Sequence, residues 1–183
     1  MEDILVRGAA LKDKLARVTI KNTPDKPGVA ASLFHAIAAS GIVVDDIMQT
    51  VSEAKTATVS FTVELKELEE TRKVCEKLVG TVLKGAEFSY ETNLSKVSVV
   101  GVGMRVHTGV AERMFKALAD AKVNIQNITT SEIKISCIID SAEGKQALRL
   151  VHDAFDLGTA QPAAKKGAAK AAGKCAKKSC RCK

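Results

Sequence analysis

The fold follows from residues 17–47, RVTIKNTPDKPGVAASLFHAIAASGIVVDDI, because the chain repeats this stretch at residues 96–128, KVSVVGVGMRVHTGVAERMFKALADAKVNIQNI. With an offset of 81 (109 minus 28), identical residues recur at seven positions. In the first copy they are Gly28, Val29, Ala30, Phe34, Ala36, Ala38 and Ile47. A period of about 80 residues is too long for a solenoid and indicates a duplicated small domain.

The first copy predicts a strand, a loop with glycine, a helix and further strands. Val18 and Ile20 alternate with polar residues as in a half-buried strand, whereas Val29, Leu33 and Ile37 make a helical stripe. Residues 56–63 alternate again, 65–79 form a second helical pattern, and 86–90 a fourth strand, with Thr62 expected to face outward. The order βαββαβ is that of the ferredoxin-like unit, an α+β fold.

The second copy predicts strands at 96–102, 124–130 and 133–139 and helices at 109–121 and 142–155, but no fourth strand. The unassigned strand at residues 3–9 is therefore expected to cross over and complete the second sheet, with a polar connector around residues 12–14. The predicted organisation is an N-terminal strand (1–14), a first domain (15–93), a second domain (94–157) and a low-complexity basic tail (158–183).

The charge of the chain lies in its tail. Residues 159–183 carry eight of the 28 Lys and Arg residues and no acid, so the rest has 20 basic and 21 acidic residues. We expect a disordered tail, because its Ala/Lys/Gly composition has nothing to bury. Its Cys-x4-Cys-x-Cys run lacks a fourth zinc ligand, so we predict no metal site. Its Lys and Arg residues could contact phosphates, but such contacts carry no sequence information, so we do not predict nucleic-acid binding either.

The rest of the composition favours a cytoplasmic protein without a membrane partner. No apolar run approaches the ~20 residues that span a bilayer, and no targeting pattern opens the chain. Five cysteines, three of them in the tail, make no plausible disulfide framework, which indicates a reducing compartment.

Several functions share the ferredoxin-like fold, and the sequence argues against three of them. An RNA-recognition module stacks bases on strand aromatics, but the matching strands here offer Phe61 alone. A metallochaperone would carry Cys-x-x-Cys in the loop that reads PDKPG. His35, His107 and His152 have no Ser or Cys at informative spacing, so we predict no catalytic residues and no cofactor.

The two strand-to-helix loops, at residues 24–29 and 105–110, are the best candidates for a site. Each enters a helix through a glycine, where free backbone N–H groups and the helix dipole attract an anion. Four acids lie nearby in sequence: Asp25, Asp45, Asp46 and Glu132. Together these groups could hold both ends of a free amino acid. The alternative, turn chemistry with solvated acids, is left open by the spacing alone.

Four segments resemble the paired ACT domains of aspartate kinase, particularly the lysine- and threonine-sensitive type: DKPGVAASLF, GIVVDDIMQ, GVGMRVHTGVAERMFKAL and VNIQNITTSEIKIS. The resemblance runs from about residue 4 to residue 157. It implies two ACT domains side by side on a continuous sheet, the N-terminal residues joining the second. It also implies lysine or threonine bound at the seam, a homodimer through the ACT domains, and a catalytic subunit or domain as partner.

Carried over by position, the resemblance also implies the residues that bind the effector. They are Asp25, Lys26, Pro27, Gly28, Ala30, Asp45 and Gln49 in the first copy, and His107, Val110, Ala111, Asn124, Ile125, Thr130, Ser131 and Glu132 in the second. Asp25 and Glu132 are expected to contact the amine or side chain of the effector. Substitution of Thr130 or Ser131 is expected to relieve feedback inhibition.

The sequence departs from the family pattern at both ends. The kinase domain, with its Lys-Phe-Gly-Gly-type motif, is absent, so this chain is not expected to phosphorylate aspartate unaided. Met1 sits where a separately made regulatory subunit would begin, and the basic tail replaces the usual terminal strand. The resemblance thus predicts an allosteric subunit of aspartate kinase; the alternative is a free-standing amino-acid sensor acting on another enzyme or on transcription.

Overall fold

The computed structural model describes residues 5–52, 56–102, 104 and 109–158; residues 1–4 and the basic tail beyond Gly158 lie outside this part. Its strands are β1 (Leu5–Pro24), β2 (Asp45–Val51), β3 (Thr56–Glu64), β4 (Glu87–Val102), β5 (Asn127–Thr130) and β6 (Lys134–Asp140). Its α-helices are α1 (Val29–Ala39), α2 (Leu68–Thr81), α3 (Val110–Asp120) and α4 (Gly144–Ala154). Short 3₁₀ turns, Leu65–Glu67 and Ser141–Glu143, lead into α2 and α4.

The six strands form one antiparallel sheet in the order β2-β3-β1-β4-β6-β5. Two long strands are shared by its halves. The second part of β1 pairs with β3 and with the start of β4, whereas its first part, from Leu5 to Lys12, pairs with β4 from Lys96 to Val102. Each half therefore has a complete four-stranded ferredoxin-like sheet. The α+β fold class is confirmed, including the N-terminal strand that completes the second half.

The predicted breaks within β1 and β4 were wrong. In place of a connector at residues 12–14, β1 continues through register shifts around Leu15, with Lys14 at φ 57° and Asn93 of β4 at φ 61°. Bulges of this kind bend a strand without ending its pairing. The first strand-to-helix loop, predicted to begin at residue 24, begins one residue later, because Pro24 still pairs with β3.

Two apolar cores lie under the two pairs of helices. In the first half, Val18, Ile20 and Phe61 pack under α1 and α2, and the Phe61 ring meets Phe34 edge to face at 5.6 Å between centroids. In the second half, the core includes Met114 of α3 and Val151 of α4 together with Val99 and Cys137 of the sheet. Among the described helices, none has the length and apolar character needed to cross a bilayer.

The two half-sheets join where β1 and β4 are irregular, around Leu15 and Asn93, and we name this region the bend. Leu15, Leu94 and Ile138 form a small buried cluster there, and Arg17 of β1 donates a 2.8 Å hydrogen bond to the side chain of Gln126, just before β5. Thr62, predicted to face outward, is buried, and its hydroxyl donates to the Asp45 carbonyl of the neighbouring strand (2.9 Å). The alternation of β3 predicted the face of Thr62 but not what covers it.

Candidate functional site

The two copies build the same corner between strand and helix. Gly28 before α1 has φ 92° and ψ −18°, and Gly109 before α3 has φ 104° and ψ −14°. Both lie in the left-handed region that side chains on L-residues disfavour, which explains why glycine recurs here. The carbonyls of both glycines accept the first helical hydrogen bond, from Ser32 and Arg113 respectively, at 2.9 Å. Neither helix receives a side-chain cap from a described residue.

The first corner opens into a cleft of about 390 Å³, which we name cleft 1. A volume of this size lies within the roughly 300–1,000 Å³ range of small-molecule sites. Six predicted effector residues line it: Asp25, Lys26, Pro27, Gly28, Ala30 and Gln49. Thr23, Pro24, Val29, Ala57 and Val59 complete the wall. Cleft 1 therefore combines a helix N-terminus with a carboxylate, an ammonium and an amide.

The second corner opens into cleft 2, of about 450 Å³, lined by Met104, Ala111, Thr130, Ser131, Glu132 and Ile135. Ala111 and Thr130 occupy the positions of Ala30 and Gln49 in cleft 1, given the offset of 81 (111 minus 30). The strand pairing is equivalent too, since Thr130 pairs with Ile135 as Gln49 pairs with Val59. The duplication thus yields two related clefts with different polar groups.

Four of the predicted site residues that the structure describes line neither cleft. Val110 is buried in the second core, and Ile125 packs against that core. Asn124 is exposed ahead of β5, and Asp45 forms an ion pair with Lys96. His107 lies outside the described residues. The clefts form near the C-terminal ends of β2 and β5, whereas Asp45 begins β2 and Asn124 precedes β5. The sequence alone did not indicate which end of each strand would face a cleft.

A buried polar cluster at the bend was missed by the sequence analysis. Lys96 of β4 has only 5% of its side chain exposed, and its Nζ pairs with the Asp45 carboxylate and lies 2.9 Å from Asp46 Oδ2. The other oxygen of Asp46 accepts a hydrogen bond from the Thr129 hydroxyl of β5 at 3.2 Å. We name these four residues the Lys96 cluster. Lys96 and Asp45 are 51 residues apart, so only the curled sheet brings them together.

Burial and ion pairing in the Lys96 cluster shift the pKa values of Asp45 and Lys96. Burial raises the pKa of Asp45, but the hydrogen bond and charge of Lys96 outweigh this, so the pKa lies below its usual value. Burial likewise lowers the pKa of Lys96, and hydrogen bonds to Asp45 and Asp46 more than compensate, so its pKa is raised. Asp45 and Lys96 are therefore both ionised at neutral pH.

Metal binding finds no support in the described part of the chain, where no group of three His, Cys, Asp or Glu residues could hold an ion. The two described cysteines, Cys75 and Cys137, are buried free thiols, and burial raises the pKa of each to about 12. Cys75 sits in the apolar core of the first half and Cys137 in that of the second.

Family models identify the class of the protein. Residues 17–80 match an ACT domain model, and residues 97–155 match a second ACT domain model. The fold and its two clefts therefore belong to a pair of ACT domains.

Solved structures and a curated relative identify the family. The regulatory subunit of aspartate kinase from Thermus thermophilus is 38% identical with a TM-score of 0.75, covering 82% of this chain and 99% of that one. A chain in a structure of aspartokinase alpha and beta subunits is 39% identical with a TM-score of 0.73, and the match covers 83% of this chain and 99% of that one. The aspartate kinase of Pseudomonas putida is 44% identical over 158 residues, which are 86% of this chain and 38% of that relative. The chain belongs to the aspartate kinase family and matches its regulatory part; the resemblance seen in the sequence is confirmed.

Proposed function

We propose that this chain binds lysine, threonine or both in its clefts and thereby mediates feedback inhibition of an aspartate kinase. The observation that carries the proposal is cleft 1, where six residues predicted to bind the effector line one cavity at the N-terminus of α1. Family membership supports the same conclusion, because 99% of an aspartate kinase regulatory subunit is covered by this chain.

The chemistry of cleft 1 suits a small zwitterion. The uncapped N–H groups of the first turn of α1 and the helix dipole favour a carboxylate. Asp25, on the exposed loop, supplies an acceptor for the ammonium group, and the Gln49 amide can donate to or accept from a polar side chain. Cleft 2 replaces these groups with the hydroxyls of Thr130 and Ser131 and the Glu132 carboxylate. We propose that this acidic lining serves the second site.

Regulation needs no bond-making chemistry and no cofactor in this chain. A bound amino acid favours one arrangement of the paired domains, and it shifts that equilibrium only by its differential affinity, typically ~1–3 kcal/mol of coupling. The catalytic subunit or domain of a cytoplasmic aspartate kinase is the partner in this proposal. A homodimer is supported by the two edge strands, where Ile47 of β2 and Ile128 of β5 are 51% and 44% exposed.

Calorimetric titration of the chain with lysine and with threonine tests the proposal. We expect saturable binding of at least one, weakened at least tenfold by Asp25→Asn or Gln49→Ala if cleft 1 is the site, and by Glu132→Gln if cleft 2 is. Asp120→Asn is the matched control, because Asp120 lies on α3 in an exposed ion pair with Lys116. Absence of heat and of any thermal shift with both amino acids would overturn the proposal.

The alternative hypothesis, a free-standing sensor that regulates another enzyme or transcription, has a different partner. Co-purification from the native cell distinguishes the two. The proposal predicts that a kinase subunit accompanies the chain, and a different stable partner would favour the alternative.

A further inference from the structure

Clefts 1 and 2 are built on two strands that lie at opposite edges of the sheet. Gln49 of β2 lines cleft 1, and Thr130 of β5 lines cleft 2. The sheet order separates these strands by four others. Nevertheless, Thr129 of β5 donates a hydrogen bond to Asp46 of β2. Thr130 is the next residue after Thr129 along β5, and Gln49 lies three positions after Asp46 along β2.

Lys96 fixes the contact between the two edges to the centre of the sheet. It lies on β4, which belongs to both halves, and its Nζ meets Asp46 Oδ2 at 2.9 Å and also pairs with Asp45. Lys96 and Asp46 have 5% and 6% of their side chains exposed. Buried ion pairs of this kind resist rearrangement, because moving one charge away from its partner leaves the other unpaired without water. The Asp46 carboxylate is thus held from two sides.

The backbone of β2 is irregular where it carries the two acids. Successive side chains of a regular strand point to opposite faces, so two adjacent carboxylates could not both reach Lys96. The register of β2 shifts between Asp45 and Met48, and Asp46 adopts φ 45° in the left-handed region. Such a conformation persists where the surroundings impose it, and it is found where structure serves function. The bulge places the strained residue in hydrogen-bonding contact with Thr129, on the same strand as Gln49 of cleft 1.

We infer that the Lys96 cluster couples the two clefts, so that a change in the lining of one alters the geometry of the other through Asp46 and Thr129. This inference deepens the proposed function and rests on it for its physiological meaning. A ligand that shifts β2 in cleft 1 moves or orders the Asp46 carboxylate, and the hydrogen bond to Thr129 passes this to β5 and cleft 2.

A comparison of backbone amide signals by NMR tests the coupling without any ligand. The variant Gln49→Ala removes a side chain that lines cleft 1 and not cleft 2, and the Thr130 amide reports on cleft 2. We expect Gln49→Ala to shift the Thr130 amide by more than its line width, and we expect this shift to vanish when Thr129→Val removes the donor. Thr19→Val is the matched control, because the Thr19 hydroxyl bonds to Ser60 at 3.1 Å between β1 and β3, and neither residue lines a cleft.

The coupling is overturned if the Thr130 amide does not respond to Gln49→Ala, or if it responds equally in the Thr129→Val background. Loss of the response in Thr19→Val would also overturn it, since a general loosening of the sheet would then explain the result. Lysine and threonine binding is scored separately by calorimetry. Absence of binding would defeat the proposed function while the amide shifts still decide whether the clefts are linked.

Discussion

The glycine at the corner of cleft 1 gives a quantitative test of the local structure. Gly28→Ala adds a Cβ that meets nothing within 4 Å, so no clash contributes to its cost. The cost comes from φ 92°, where an L-residue loses about 1–2 kcal/mol. The smaller entropy of the unfolded Ala chain acts in the opposite direction and offsets about 0.4–1 kcal/mol of this cost. We expect a net loss of about 0.5–1.5 kcal/mol in the free energy of unfolding.

Gly80→Ala is the matched control for Gly28→Ala. Gly80 is exposed in the last turn of α2, and a Cβ there also meets nothing within 4 Å. Because α-helical φ suits Ala, this variant should be stabilised, by at most about 1 kcal/mol. Urea unfolding followed by far-UV circular dichroism measures both, and each 1 kcal/mol corresponds to roughly 2–4 °C in Tm for a chain of this size. A shift of the same sign in both variants would refute the reasoning.

Three further predictions concern the cores and the Lys96 cluster. Phe61→Ala should lose about 3–5 kcal/mol in urea unfolding, because Phe61 is fully buried; a loss below about 1 kcal/mol would argue against this core. Cys75 and Cys137, whose pKa values burial raises to about 12, should escape alkylation at pH 8 in the native chain and react after denaturation; mass spectrometry of native protein showing both modified would contradict the structure. The folded pKa of Asp45 is depressed, so its contribution to stability should be complete above its unfolded pKa of about 3.9 and lost as pH falls further. Asp45→Asn should flatten that acid limb in pH-dependent unfolding, and an unchanged limb would rule the contribution out.

The repeat made most of the fold predictable. Identical residues at an offset of 81 fixed two strand–helix–strand units, and the missing fourth strand of the second unit assigned the N-terminal strand. The alternation of Val18 and Ile20 identified one core face correctly. The continuity of β1 and β4 was not predictable, because polar residues such as Lys14 and Asn93 suggest loops, whereas here they bend strands that remain paired.

The candidate site was predictable where it is local in sequence. Asp25 to Gly28 and Ala30 lie within one loop and the helix turn that follows, so their shared cleft follows from the turn, and Gln49 joins them through β2. The Lys96 cluster was not predictable, because its contacts depend on how far the sheet curls. Nothing in the alternating strand that begins at Lys96 distinguishes a buried lysine from a solvated one.

A crystal structure of the chain with bound lysine or threonine tests the central claim most directly. The account predicts electron density for the amino acid in cleft 1 or cleft 2. In cleft 1, its carboxylate should lie within hydrogen-bonding distance of the first-turn N–H groups of α1, and its ammonium near Asp25. Density for either amino acid only at sites away from both clefts, at concentrations that saturate binding in solution, would contradict the account.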